Sequence, residues 1–157
     1  MIYAHLLSLH SLVRWFVLAS LVFAFFRAFR GWRGRRAFTK FDDSVRHWTA
    51  TIAHIQITLG IWLYCVSPII AYFFADFKTA VKNRDVRFFG MEHSLMMLVA
   101  IVLITVGSMK AKRQNDDHQK FRTMLIWFGI ALLVILSSVP WSFSPLVSRP
   151  LWRGWGF

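Results

Sequence analysis

The chain has 157 residues, of which 57% are hydrophobic, 17% aromatic and only 17% charged. That balance excludes a disordered chain, which needs low hydrophobicity, and a soluble globule, which at this length has too little interior to hide so much apolar surface. The net charge of +12 would suit a nucleic-acid binder if it were clustered, but the Lys and Arg fall mostly between long apolar runs, as in loops beside membrane spans, and nucleic acid is set aside as a partner.

The first apolar run predicts a span over residues 2–29, interrupted by His5, His10 and Arg14. It has no basic leader before it and no small-residue cleavage site after it, so the expectation is a retained helix and not a signal peptide. A basic loop with Arg27, Arg30, Arg33, Arg35, Arg36 and Lys40 follows, broken by Gly31 and Gly34. Asp42, Asp43 and Ser44 are suitable caps for a second span over residues 45–66, which Ser67-Pro68 bends or ends. Residues 72–87 mix Phe with Lys and Asp and read as a short interfacial helix or loop. A third span covers residues 88–109, and a polar loop leads to a fourth over residues 118–139, stopped by Pro140. The tail, residues 141–157, is rich in Trp and Pro and is expected at the membrane interface. The single Cys65 rules out an intramolecular disulfide.

The fold class expected from this pattern is all-α: an integral membrane up-down four-helix bundle over residues 1–140, with an interfacial tail. Lys and Arg set its orientation. Residues 27–46 and 109–122 carry seven and five of them, against four in the second loop and two in the tail. The positive-inside rule then puts the first and third loops in the cytoplasm and both termini outside.

Polar side chains inside lipid are costly and tend to face the bundle interior in functional roles. His10 and His93 each lie roughly 9 Å outward of the middle of their spans, by the helical rise of 1.5 Å per residue. Two imidazoles at matching depth on different helices are what a bis-His b-type haem requires. On the inner half, His54 lies roughly 5 Å and His118 roughly 15 Å from the middle of their spans. That pair is a less well matched candidate for a second haem. The candidate iron ligands are therefore His10 and His93, with His54 and His118 as the second pair. His47 shares a helix face with His54, and His5 falls near the outer surface. Each of these His could instead be an interhelical hydrogen-bond donor.

Arg14 follows His10 by one turn on the same face. It needs an anion, either a haem propionate or Glu92, the only Glu in the chain. Arg87 is a second propionate candidate. Met96 and Met97 are expected as core filling. Gln56, Tyr64 and Ser67 could bind a quinone or bridge helices. One Cys and one Glu exclude a rich metal cluster, and no Gly-rich phosphate loop is present.

Several of these residues resemble a family of short bacterial four-span proteins known simply as cytochrome B. The likeness rests on Leu9-His10-Ser11-Leu12-Val13-Arg14, on Ala53-His54-Ile55-Gln56-Ile57-Thr58-Leu59-Gly60 with Ser67-Pro68, on Arg87 with Glu92-His93, on His118 and on Pro140-Trp141. It covers residues 1 to about 143. The resemblance implies haem b, one or two per chain, and electron transfer in a bacterial cytoplasmic membrane. The expected role is an electron carrier rather than a stand-alone enzyme. Lipid is the first expected partner, together with other membrane subunits or further copies of the chain, and a quinone. Two other classes stay open: a haem-free structural or assembly subunit, and a small transporter or proton path built on Arg14, Glu92 and the His set.

Overall fold

The structure is a computed structural model that describes residues 2–142 and Val147. The interfacial placement of the tail therefore falls largely outside the described residues. Seven α-helices and one π turn follow each other: α1 (Ile2–Arg33), α2 (Lys40–Val66), α3 (Pro68–Ala75), α4 (Phe77–Ala80), α5 (Arg84–Arg87), the π turn Phe88–Glu92, α6 (His93–Arg113) and α7 (Asp117–Ser138). The stretch from Arg84 to Arg113 is one continuous helical rod of 30 residues. With α1, α2 and α7 it makes four helices long and apolar enough to cross a bilayer. The chain is a multi-pass membrane protein with an all-α, up-down four-helix bundle.

The start of each helix has a local chemical cause. Thr39, not the Asp42–Ser44 cluster, caps α2, which corrects the sequence expectation. The Thr39 side chain accepts from the Asp42 backbone N–H, and Asp42 reaches back to the Thr39 backbone N–H, closing a capping box. Asp42 is thus the third helical residue, and α2 starts five residues before the apolar run does. Ser67 is extended and Pro68 occupies the first turn of α3, where a missing N–H costs nothing. Asp116 caps α7 by accepting from the Gln119 N–H at 2.8 Å.

Around the bundle the order is α1, α2, α6, α7, each helix packing on its two neighbours. α1 therefore faces α6 across one diagonal and α2 faces α7 across the other. Between these helices lipid supplies no hydrophobic drive, so association depends on close packing and interhelical hydrogen bonds. The interior is built accordingly. Ala24, Ala28, Ala50, Ala53, Ala111 and Ala131 are buried, and Gly31 lies so near Phe121 that a Cβ there would meet its ring at 2.5 Å. Phe121, Phe128, Leu21 and Ile104 fill the rest of the core, while many other large apolar side chains point outward: Phe16, Phe23, Phe26, Trp62, Leu98, Val102 and Leu133 are all exposed. In water such a surface would aggregate; in a bilayer it is the lipid contact.

One end of the bundle carries the two basic loops, α1–α2 and α6–α7, and is called here the basic end; the opposite one is the far end. At the basic end polar ties add to the apolar packing. Arg27 Nε donates to Asp42 Oδ1 at 2.6 Å, joining α1 to α2, while Oδ2 accepts from the Thr39 N–H and hydroxyl at 2.9 and 2.6 Å. Arg46, also buried, donates to Asp43 at 2.9 Å and to Ser108 Oγ at 2.6 Å, joining α2 to α6. Asp42 is only 1% exposed, so removing it leaves Arg27 and Thr39 without their acceptor. Asp42→Ala is expected to cost about 3 kcal/mol, the low end for a broken buried pair because Arg27 is partly solvated. Thermal unfolding in detergent reads this, and an unchanged midpoint would count against the anchoring role of Asp42.

Candidate functional site

Toward the far end the four long helices border a partly open cavity of about 440 Å³, within the roughly 300–1,000 Å³ usual for small-molecule sites. All four long helices contribute walls: His10 and Arg14 from α1, Gln56 and Gly60 from α2, His93 and Met97 from α6, Ile135 and Val139 near the end of α7. The lining is mainly apolar, with a few polar groups converging.

The registers of α2 against its neighbours fix the depth of the two histidines. Gln56 Nε2 donates to the His10 carbonyl at 3.0 Å. One turn later Gly60 lies against the His10 ring, and a Cβ there would sit 3.4 Å from Cε1. One turn further, the Tyr64 hydroxyl donates to the Gly90 carbonyl at 2.7 Å. Gly60 is four residues below Tyr64 and His93 three below Gly90, roughly 6 and 4.5 Å respectively, so both imidazoles come to nearly the same depth. They face one cavity from diagonally opposed helices.

The two rings are held differently. His93 Nδ1 lies 2.9 Å from the Ser138 carbonyl. A carbonyl only accepts, so Nδ1 carries the proton, and in the neutral ring Nε2 keeps its lone pair. Phe88 and Phe89 flank the ring, their centroids 5.7 and 6.1 Å away. His10 Nδ1 is buried and has no hydrogen-bond partner among the described residues, and the same holds for Gln56 Oε1. Orphaned buried polar atoms are rare enough to need a reason.

The other candidates fall elsewhere. Arg14 lines the cavity, with Nη2 donating to Ser11 Oγ at 3.2 Å and the guanidinium 5.6 Å from the Trp15 ring centre. The pairing of Arg14 with Glu92 is corrected: Glu92 Oε1 accepts from Arg87 Nε at 2.6 Å. The cause is the π turn between them, whose i to i+5 repeat puts residues 87 and 92 on one face. Arg87 also donates to the Val81 carbonyl at 3.2 Å, and it is not a cavity residue.

His54 and His118 are not brought together. His54 Nε2 pairs with Thr105 Oγ1 on neighbouring α6 at 2.9 Å. His118 stacks on Trp32 of α1, centroids 6.0 Å apart and planes at 25°. Thr49 bonds to the Ser20 carbonyl; measured from that level, His54 is five residues toward the far end and Trp32 twelve toward the basic end. The separation is about 25 Å in depth, beyond the span of any one iron. Neither lines the cavity. His47 is exposed beside Trp48, and His5 is exposed as well. Among the described residues no group of three or more His, Cys, Asp or Glu could hold a metal ion.

Two contributors escaped the sequence reading. Ser138 acts through its backbone carbonyl, which has no helical donor because α7 ends there, just before Pro140. The Pro was the available signal. Gly90 acts through the carbonyl that Tyr64 caps, and no periodicity marks a π turn in advance. For the His54–Thr105 tie, His54→Ala and Thr105→Val should each cost about 0.6 kcal/mol, the mean for an interhelical hydrogen bond in a membrane protein. The double variant should cost no more than the larger single one, because the same bond is lost. A double-mutant cycle on unfolding in detergent measures this; full additivity would remove the tie. Compared with the models of known protein families, with curated proteins and with solved structures, the chain matches none.

Proposed function

We propose that the chain is a membrane-embedded b-type cytochrome whose far-end cavity would hold one haem, with His10 and His93 as the residues that would bind its iron. The observation that carries this reading is the pair of imidazoles at one depth on opposite walls of an apolar cavity, one of them with its outer nitrogen fixed by a carbonyl and Nε2 kept for a metal. The donor set fits: two imidazoles, and walls that suit a flat apolar macrocycle. The orphaned His10 Nδ1 fits too, because that ring lacks a partner which a bound group or its water could supply. Haem bound there supplies a one-electron couple.

The residues of the chain then have separate tasks. Ser138 fixes the tautomer and plane of His93, the role that second-layer hydrogen bonds play at metal sites. Gly60 borders the His10 ring closely enough that even a methyl there would touch it. Met97, Ile135 and Val139 exclude water from the cavity wall. Arg14 puts a positive charge on that wall, suited to a carboxylate of the bound group. The partners that fit are membrane ones, a quinol in the bilayer or another membrane subunit. With the basic loops on the cytoplasmic side, the cavity lies toward the outer face. A second haem between His54 and His118 is not proposed, given their separation.

A second reading is a haem-free subunit of a larger membrane complex. The hydrogen bonds His93–Ser138 and Gln56–His10 favour it, since each is a complete interhelical tie without any cofactor.

A reduced-minus-oxidised visible spectrum of the purified protein separates the two. A b-type band is expected at about one haem per chain, absent in His10→Ala and in His93→Ala, with both variants still inserted in the membrane. A colourless wild-type protein, after expression with haem supplied, sinks the first reading. Arg14→Leu should lower the haem midpoint potential, because losing a positive charge favours the oxidised, more positive iron. Redox titration reads the shift, and a midpoint that stays or rises removes Arg14 from the site.

A further inference from the structure

A second cavity opens at the basic end, on the lipid-facing side of α1. Its volume is about 170 Å³, and Arg27, Arg30 and Arg36 line it together with Phe23, Phe26 and Asp42. Asp42 is the one acid in this wall, and it is already occupied by Arg27 and Thr39. Neither Arg30 nor Arg36 forms an ion pair among the described residues. Asp42 offsets Arg27, and the charges of Arg30 and Arg36 are left without a counter-charge in the cavity wall.

The chain pays for this arrangement in backbone strain. α1 ends in a Schellman turn, with the Arg36 N–H on the Gly31 carbonyl at 3.1 Å and the Arg35 N–H on the Trp32 carbonyl at 3.4 Å. Such a turn needs a left-handed residue at its corner, normally Gly. Here it is Arg35, at φ 44°, the only non-glycine with positive φ among the described residues. A left-handed L-residue costs roughly 1–2 kcal/mol, and strain of this kind collects at functional places. The turn folds the chain back so that Arg36, after the helix, joins Arg27 and Arg30 within it.

The approach to the cavity is apolar. Phe23 and Phe26 are 51% and 57% exposed, on the face of α1 that lipid covers, and Phe41 is 55% exposed beneath the Arg27 guanidinium, 4.8 Å from its ring centre. A ligand here meets guanidinium groups at one end and an aromatic track into the hydrocarbon at the other. We propose that this cavity binds the phosphate headgroup of an anionic phospholipid, with its acyl chains along Phe23 and Phe26. Arginine suits this because its fork matches phosphate oxygens bidentately, and basic pockets at helix ends are where membrane proteins take anionic headgroups.

The test uses the purified full chain, stripped of lipid in an uncharged detergent. It is titrated with dioctanoyl phosphatidylglycerol, dioctanoyl phosphatidylcholine or inorganic phosphate, and bound lipid is read by native mass spectrometry alongside the thermal midpoint. Phosphatidylglycerol should bind on the order of tenfold more tightly than phosphatidylcholine and raise the midpoint. The double variant Arg30→Gln/Arg36→Gln, two exposed side chains, should lose most of that preference while keeping its lipid-free midpoint. Lys78→Gln/Lys82→Gln, the same charge removed from the far end, should keep it. Equal binding of the two lipids, or an unchanged preference in Arg30→Gln/Arg36→Gln, overturns the proposal. So does a midpoint rise with inorganic phosphate as large as that with phosphatidylglycerol, which would mark a free-anion site.

Discussion

Lipid tails are as apolar as leucine, so a bundle in a membrane cannot gather itself by hiding hydrocarbon. It holds together only where backbones come close and where polar groups find partners on another helix. The basic end meets that constraint with close packing and with ion pairs, although the buried Trp32 Nε1 has no partner among the described residues. Alanines and glycines line the seams, and Asp42 and Arg46 each bond outside their own helix turn, to α1 and to α6. Each tie leaves little polar surface unmet, as a low-dielectric interior demands.

The cavity depends on that closed end. Four rods tied at one end leave a cavity toward the other without losing their packing order. Polar side chains are brought into the space from three helices: His10 and Arg14 from α1, Gln56 from α2 and His93 from α6. Most are restrained by a bond that crosses helices or a turn, as with His93 on Ser138 and Gln56 on the His10 carbonyl. A site built on helical segments and braced this way is more rigid than one carried on loops.

Much of this was legible in the sequence because bilayer thickness demands long apolar runs, and those runs mark the four helices and their alternation. Depth along a helix is also legible, since it needs only the rise per residue; hence His10 and His93 stood out as a level pair. Matters that depend on rotation and on interhelical reach were not. Glu92 could be placed near Arg14 in depth, but its partner was decided by a π turn that periodicity does not announce. His54 and His118 were ranked by distance from a span centre, and the error came from where the spans begin: α2 starts at Lys40, well before its apolar run, under a capping box whose threonine lies three residues ahead of the aspartate first taken as the cap. The Ser138 carbonyl has no sequence signature of its own, since backbone atoms are common to all residues.

The π turn also sets the phase of the third span. An α-helix advances about 100° per residue, and one residue more in a turn rotates everything after it by that angle relative to everything before. The segment Phe88–Glu92 therefore acts as an angular joint between the short helices α3 to α5 and the long run of α6. The face that α6 offers to the bundle is uncoupled from the face that α5 offers to α3. Two requirements that a straight rod would bind together, the packing of the short connecting helices and the aim of α6 into the bundle, are met separately by five residues.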